Sequence, residues 1–210
     1  MINITIITII DFFNSFKPDY FKTLLEISLS WRDPPKSVVD SNKKIFSCDD
    51  LKTKANSWLN KDNVNNINQN SSVDGIYYFY EENRFKLIFI EFKGFFKEDL
   101  EDLEKVKRDI KQSLKLKPLE SLFCIFPHLV DEFCSEWNYS NDEKYELMLV
   151  IYNCPKAYFF VFKDFNKDGI FSEHIKSKYD FFEIKRLSKH PFDIVETLTP
   201  DTFCEFMKNK

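Results

Sequence analysis

The chain has 210 residues, 43% of them hydrophobic and 30% charged, and a formal net charge of -4. This composition excludes a disordered chain and supports one good core, or at most two small ones. The acidic balance argues against a protein that coats nucleic acid nonspecifically, which needs a basic excess, but leaves room for an enzyme that holds a cation in an acidic pocket.

Twenty-four Phe against three Gly fits either a tightly filled interior or a codon bias, and the compositional explanation carries more weight. The five cysteines (Cys48, Cys124, Cys134, Cys154, Cys204) are odd in number and show no CxxC spacing. They are expected to be reduced thiols of a cytoplasmic protein rather than a zinc ribbon or a disulfide framework. The opening MINITIITIIDFF lacks a basic flank, meets Asp11 early and is too short to span a bilayer. It reads as a strand or the start of a buried helix, with no membrane partner expected.

In chain order, Tyr20, Leu24, Ile27 and Trp31 recur at helical spacing and predict a helix from Asp19 to Ser30, ended by Pro34-Pro35. A second short helix is predicted from Asp49 or Asp50 to Leu59, followed by an exposed Asn-rich loop over 60–72. Two dense apolar runs then flank a polar EENR in SVDGIYYFYEENRFKLIFIEFKG, residues 72–94, and predict paired strands. Leu100, Leu103, Val106, Ile110 and Leu114 step by helical intervals and predict an amphipathic helix stopped or kinked near Pro118. Residues 119–137 predict another helix with Pro127 inside it or at a break. ELMLVIYNC and AYFFVFKDF are expected as strands, then a strand-like DFFEIKRL, and last a helix from Pro200 to Lys208. The expected fold class is α/β, with a central mixed β-sheet flanked by helices and no obvious domain boundary across 1–210.

Three charges sit in or beside the apolar runs of 72–94: Asp74, Glu91 and Lys93. A hairpin turning between Glu82 and Asn83 sets Asp74 directly opposite Glu91. Facing residues have Cβ atoms about 5 Å apart, and like charges there are destabilising. Lys93 projects to the same side as Glu91, and Phe92 to the other. A divalent cation between the carboxylates would relieve the repulsion, and oxygen ligands suit Mg²⁺ or Mn²⁺.

Asp74 followed by an apolar strand ending in Glu91-Phe92-Lys93 resembles the active-site signature of the PD-(D/E)XK nuclease superfamily. In that family a helix precedes a meander of strands, and another helix follows the E-x-K strand before the sheet continues. The resemblance covers a core of roughly 45–165, with an N-terminal helical and a C-terminal mixed extension, and implies a restriction-endonuclease-like fold. It implies that Asp74 and Glu91 bind Mg²⁺ or Mn²⁺, with the Phe92 backbone carbonyl as a further ligand, and that Lys93 orients or activates the attacking water. Gln112 stands where some branches carry a Gln on the following helix. The departures are Val73 in place of the Pro and no Glu between 42 and 73, where Asp49 and Asp50 are weak substitutes.

Other features carry less. The basic half of the helix after the E-x-K strand (Lys105, Lys107, Arg108, Lys111, Lys115, Lys117) follows an acidic first half, which complements the helix dipole. That explanation outweighs a track for phosphates. Glu183-Ile184-Lys185 repeats the tripeptide without a long apolar run before it. Asp164 to Gly169 imitates an EF-hand start, but Ile175 stands where Glu is needed, so a turn is expected. His128, His174 and His190 show no ligand spacing. The expected function is a metal-dependent nuclease acting on DNA phosphodiesters, with RNA as a second candidate partner and a homodimer by analogy, in defence or repair. Two rivals stand beside it: a catalytically silent member of the same architecture used as a binding module, and an α/β scaffold whose hairpin matches by accident.

Overall fold

The computed structural model describes residues 11–15, 20–30, 34–50, 72–82, 84–100, 102–166 and 182–210. Six strands form one sheet in the order β1 to β6: Phe21–Thr23, Lys44–Ser47, Gly75–Glu81, Arg84–Phe95, Lys156–Asp164 and Ile194–Leu198. The first four pair antiparallel, and β4, β5 and β6 pair parallel. The sheet is therefore mixed, as expected for an α/β chain. β1 and β6 lie in the same sheet as the 45–165 core, so the flanking segments are integral to it.

The long strand β4 is the axis. Its alternate residues divide between two cores because side chains of a strand point to opposite faces. Phe85, Leu87, Phe89 and Phe95 join one cluster and Ile88, Ile90 and Phe92 the other. The helices follow the same division. α1 is a single turn, Leu24–Ile27; α2 is Leu103–Glu120, α3 Phe126–Glu136, α4 Asn141–Asn153 and α5 Pro200–Lys208. Leu114 of α2, Phe126 and Phe133 of α3, and Leu147 and Ile151 of α4 cover the first face. Leu24 of α1 and Phe203 and Met207 of α5 pack on the second. A helical turn at 11–14 adds Phe12 and Phe13 to the first core, where Phe13 stacks on Tyr78 at 4.5 Å. Among the described residues no helix is long and apolar enough to cross a membrane.

Several local expectations need correction. ELMLVIYNC belongs to helix α4, not to a strand. Ser140 opens that helix with a capping box to Glu143, and Leu147 and Ile151 bury one face. An unbroken apolar run has no period of its own, so the cap decides. Within the segment predicted as a helix from 19 to 30, residues 21–23 pair with β2. The helix begins only after Thr23, whose side chain caps it with Glu26; Asp19 and Trp31 lie outside the described residues. α2 runs through Pro118 instead of stopping there, then widens into a π turn at Ser121–Ile125 that leads straight into α3. Pro127 stands in the first turn of α3, directly after the π turn. In DFFEIKRL the described part turns into a 3-10 helix, Ile184–Lys189. The helix over 49–59 is seen only as a turn at 48–50. Its remainder, the Asn-rich loop up to 71, and the second half of the EF-hand look-alike lie outside the described residues. The terminal helix is found where the spacing put it, at Pro200–Lys208.

Phe89 is fully buried between Phe126 and Phe192, with ring centroids 6.0 and 5.3 Å away. Phe89→Ala is expected to lower unfolding stability by about 3–5 kcal/mol in urea, with an unchanged slope. A loss below about 1 kcal/mol would mean that the centre of this core is loosely filled.

Candidate functional site

The hairpin β3–β4 has the expected register, with Glu81 opposite Arg84 and Gly75 opposite Ile90. Glu82 takes a left-handed conformation there, φ 53°, as a two-residue hairpin turn requires. One step beyond Gly75, Asp74 stands across from Glu91. Instead of continuing the ladder, Asp74 turns its carboxylate to the strand: Oδ2 accepts the Phe92 N–H at 2.6 Å. Its own carbonyl accepts the Cys48 N–H at 3.1 Å. The Phe92 side chain packs edge-on against Phe203 on the opposite face, 5.7 Å between centroids. N–H and C=O of one strand residue leave on the same edge, so the Phe92 carbonyl opens toward Asp74.

Glu91 alternates with Leu87 and Phe89 along β4, on the face that α2, α3 and α4 cover, and is 5% exposed. α2 answers this buried charge. Lys117 Nζ lies 2.5 Å from Glu91 Oε1 and 3.8 Å from Asp74 Oδ1. Four residues on, at the start of the π turn, the buried Ser121 Oγ accepts the Val73 N–H at 3.1 Å. The end of α2 is thus tied to the entrance of β3 at two points. Lys117 was legible only as part of the basic half of its helix. Its stronger signal is that it falls three residues after Leu114, on the stripe that Val106, Ile110 and Leu114 bury.

One ammonium neutralises one carboxylate, and two are present. Burial, then repulsion from Asp74, pushes the Glu91 carboxyl up to about 8. Burial pushes Asp74 up to about 6, against the pull of Lys117 and the Phe92 N–H. Burial alone would lower the Lys117 ammonium, but Glu91 and Asp74 outweigh it and hold it above its ordinary value. The pair therefore keeps a proton where ordinary carboxylates have lost theirs. Glu91 Oε2 is buried with no hydrogen-bond partner among the described residues, and so is the Tyr158 hydroxyl, whose ionisation burial and both carboxylates push well up.

Asp74, Glu91 and Lys117 border a cavity of about 470 Å³, whose walls also include Asp49, Lys93 and Phe96. Lys93 is exposed at its edge. Asp49, a weak substitute by sequence, reaches the cavity; its Oδ1 accepts Ser72 Oγ at 3.0 Å, and its charge helps raise Asp74. Asp50 instead pairs with Lys22 at 2.8 Å. Gln112 is exposed and lines a separate groove with Lys111, Lys115 and Glu183, so the fold does not bring it to the carboxylates. Glu183 of the second tripeptide pairs there with Lys111 at 2.5 Å, outside any strand.

Two carboxylates, one of them with an orphaned oxygen, and a main-chain carbonyl suit a small divalent ion that keeps most of its own waters. They do not make a cage of protein donors: among the described residues no group of three or more His, Cys, Asp or Glu gathers to hold a metal.

A carboxyl raised in the folded state binds an extra proton there. Its stabilising contribution is complete below the ordinary carboxyl range and is lost as pH rises through the folded values, here about 6 and about 8. Stability to urea is therefore expected to fall from acid to mildly alkaline pH. Glu91→Gln is expected to flatten that fall and to exceed the wild type above pH ~8 by on the order of 2 kcal/mol. Parallel pH profiles for the two proteins would refute the charge imbalance.

Comparison with known proteins returns no match: no family model, no curated sequence and no solved structure resembles this chain closely enough to assign a family.

Proposed function

We propose that the chain is a metal-dependent nuclease that hydrolyses DNA phosphodiester bonds in the manner of the PD-(D/E)XK enzymes. The observation that carries this reading is the placing of Asp74 and Glu91 across one hairpin, both within 4 Å of a single ammonium and with negative charge left over. The order of elements supports it: an antiparallel meander β2–β3–β4, then helix α2, then β5 parallel to β4.

Asp74 and Glu91 would hold Mg²⁺ or Mn²⁺, with the Phe92 carbonyl beside them. Such an ion polarises a phosphate and acidifies a water. The chain's own residues do the positioning. The Phe92 N–H fixes the Asp74 carboxylate, so little reorganisation is needed when substrate binds. Lys93, at the edge of the cavity, stabilises the extra charge that develops on the phosphate. Lys117 neutralises one carboxylate and leaves the pair with a single net charge for the ion to take up. A second reading, a silent domain of this architecture used for binding, is favoured by Lys117 itself, because an ammonium already sits between the carboxylates.

Titration with Mn²⁺ by calorimetry, with plasmid nicking alongside, separates the two. The wild type is expected to bind and nick, and Glu91→Ala to do neither. Lys93→Ala is expected to bind Mn²⁺ normally but to nick about a hundredfold more slowly. No heat and no nicking by the wild type would leave the silent domain.

A further inference from the structure

Lys117 stands where an ion shared by the two carboxylates would stand. Its Nζ lies 2.5 Å from Glu91 Oε1 and 3.8 Å from Asp74 Oδ1, so ammonium and ion claim the same space. The carboxylates have little freedom to draw apart. Glu91 belongs to the central strand, and Asp74 Oδ2 is held by the Phe92 N–H. The end of α2 is fixed as well, because Ser121 Oγ accepts the Val73 N–H one turn beyond Lys117. What can move is the Lys117 side chain. A lysine carries its charge on a flexible four-carbon stem, and this one borders the cavity with 22% of its side-chain surface exposed. Asp49 stands in the wall of the same cavity, so an ammonium that leaves the pair has another carboxylate to face.

Charge decides which ions can make the exchange. With both acids ionised, the pair and Lys117 sum to one negative charge. A divalent ion beside the ammonium would leave one positive charge among buried groups, which is costly. A divalent ion in place of the ammonium leaves none. A monovalent ion in its place leaves the original negative charge and forfeits the contact between Lys117 and Glu91, so nothing drives it in.

We propose that Lys117 is a resident cation, displaced into the cavity when a divalent ion binds Asp74 and Glu91, and that this exchange admits Mg²⁺ or Mn²⁺ and refuses Na⁺ and K⁺. The exchange rests on the metal site of the nuclease reading and adds a gate to it.

The test is Mn²⁺ titration by calorimetry, without nucleic acid, on the wild type, Lys117→Met and Lys117→Arg. A site that is open only part of the time binds more weakly by that fraction, so Lys117→Met is expected to bind about tenfold tighter than the wild type. Arginine keeps the charge but grips a carboxylate through two parallel bonds, so Lys117→Arg is expected to bind about tenfold more weakly. Replacing choline chloride with KCl at fixed ionic strength is expected to leave the wild-type affinity unchanged. A crystal structure of the wild type grown with MnCl₂ is expected to show the ion between the carboxylates and Lys117 Nζ beyond ion-pair reach of Glu91; this readout and the arginine variant decide the matter even if Lys117→Met fails to fold. An ammonium that stays on Glu91 beside bound Mn²⁺, or variants that bind like the wild type, would overturn the exchange and leave the metal site standing. Competition by K⁺ overturns the selectivity. Uptake by Lys117→Met alone also overturns the exchange, because the wild type then never opens, and favours the silent domain. No uptake by any of the three proteins, each folded by circular dichroism, removes the exchange together with the metal site.

Discussion

Two carboxylates facing each other across a hairpin, with one ammonium between them, set the terms for the rest of this structure. Asp74 stands just before β3 and Glu91 on its neighbour β4, and Lys117 comes from the helix that covers them. A buried charge without compensation is costly, and a lysine can cancel only one of two. The remaining charge must be met by a proton or by a cation from outside. That requirement ties the hairpin register, the length of α2 and the chemistry of the cavity to one another.

The supporting architecture is built to hold that arrangement. β4 is paired on both edges and covered on both faces, antiparallel to β3 and parallel to β5. Glu91 therefore has no freedom to turn outward without moving the strand that organises both cores. α2 does not end at Pro118 but continues into the π turn, which sets Ser121 against the Val73 N–H one turn beyond Lys117. Irregular turns inside helices often accompany functional sites, and here the irregularity fixes the helix end against the strand that carries Asp74.

The aromatic content is divided by the same sheet. Most Phe rings fill the two cores, as with Phe89, Phe126 and Phe160, so the high count is used structurally whatever its genetic origin. The pair Phe96 and Phe165 departs from that pattern. It lies where β4 and β5 leave the sheet together, beside the cavity, and there the two half-buried rings stack on each other with the Lys36 and Lys163 ammoniums over them.

Much was determined by the sequence alone. Unbroken apolar runs around EENR dictated a hairpin, and its two-residue turn dictated that Asp74 faces Glu91 and that Phe92 turns away, because the alternation of a strand is local and strict. The terminal helix was equally local, set by Thr199 and Pro200 at its start. Where a run had no period, as in ELMLVIYNC, only the capping box at Ser140 distinguished helix from strand. The short strands β1 and β6 carry too few residues to announce themselves and exist because neighbours pair with them. Tertiary structure alone decided which charges meet. Lys117 lies 26 residues from Glu91 and Asp49 lies on another element, and Gln112, a candidate by position, was turned to a different groove. Contacts of that kind depend on how a helix docks on a sheet, which summed burial across the whole core controls and no short stretch of sequence encodes.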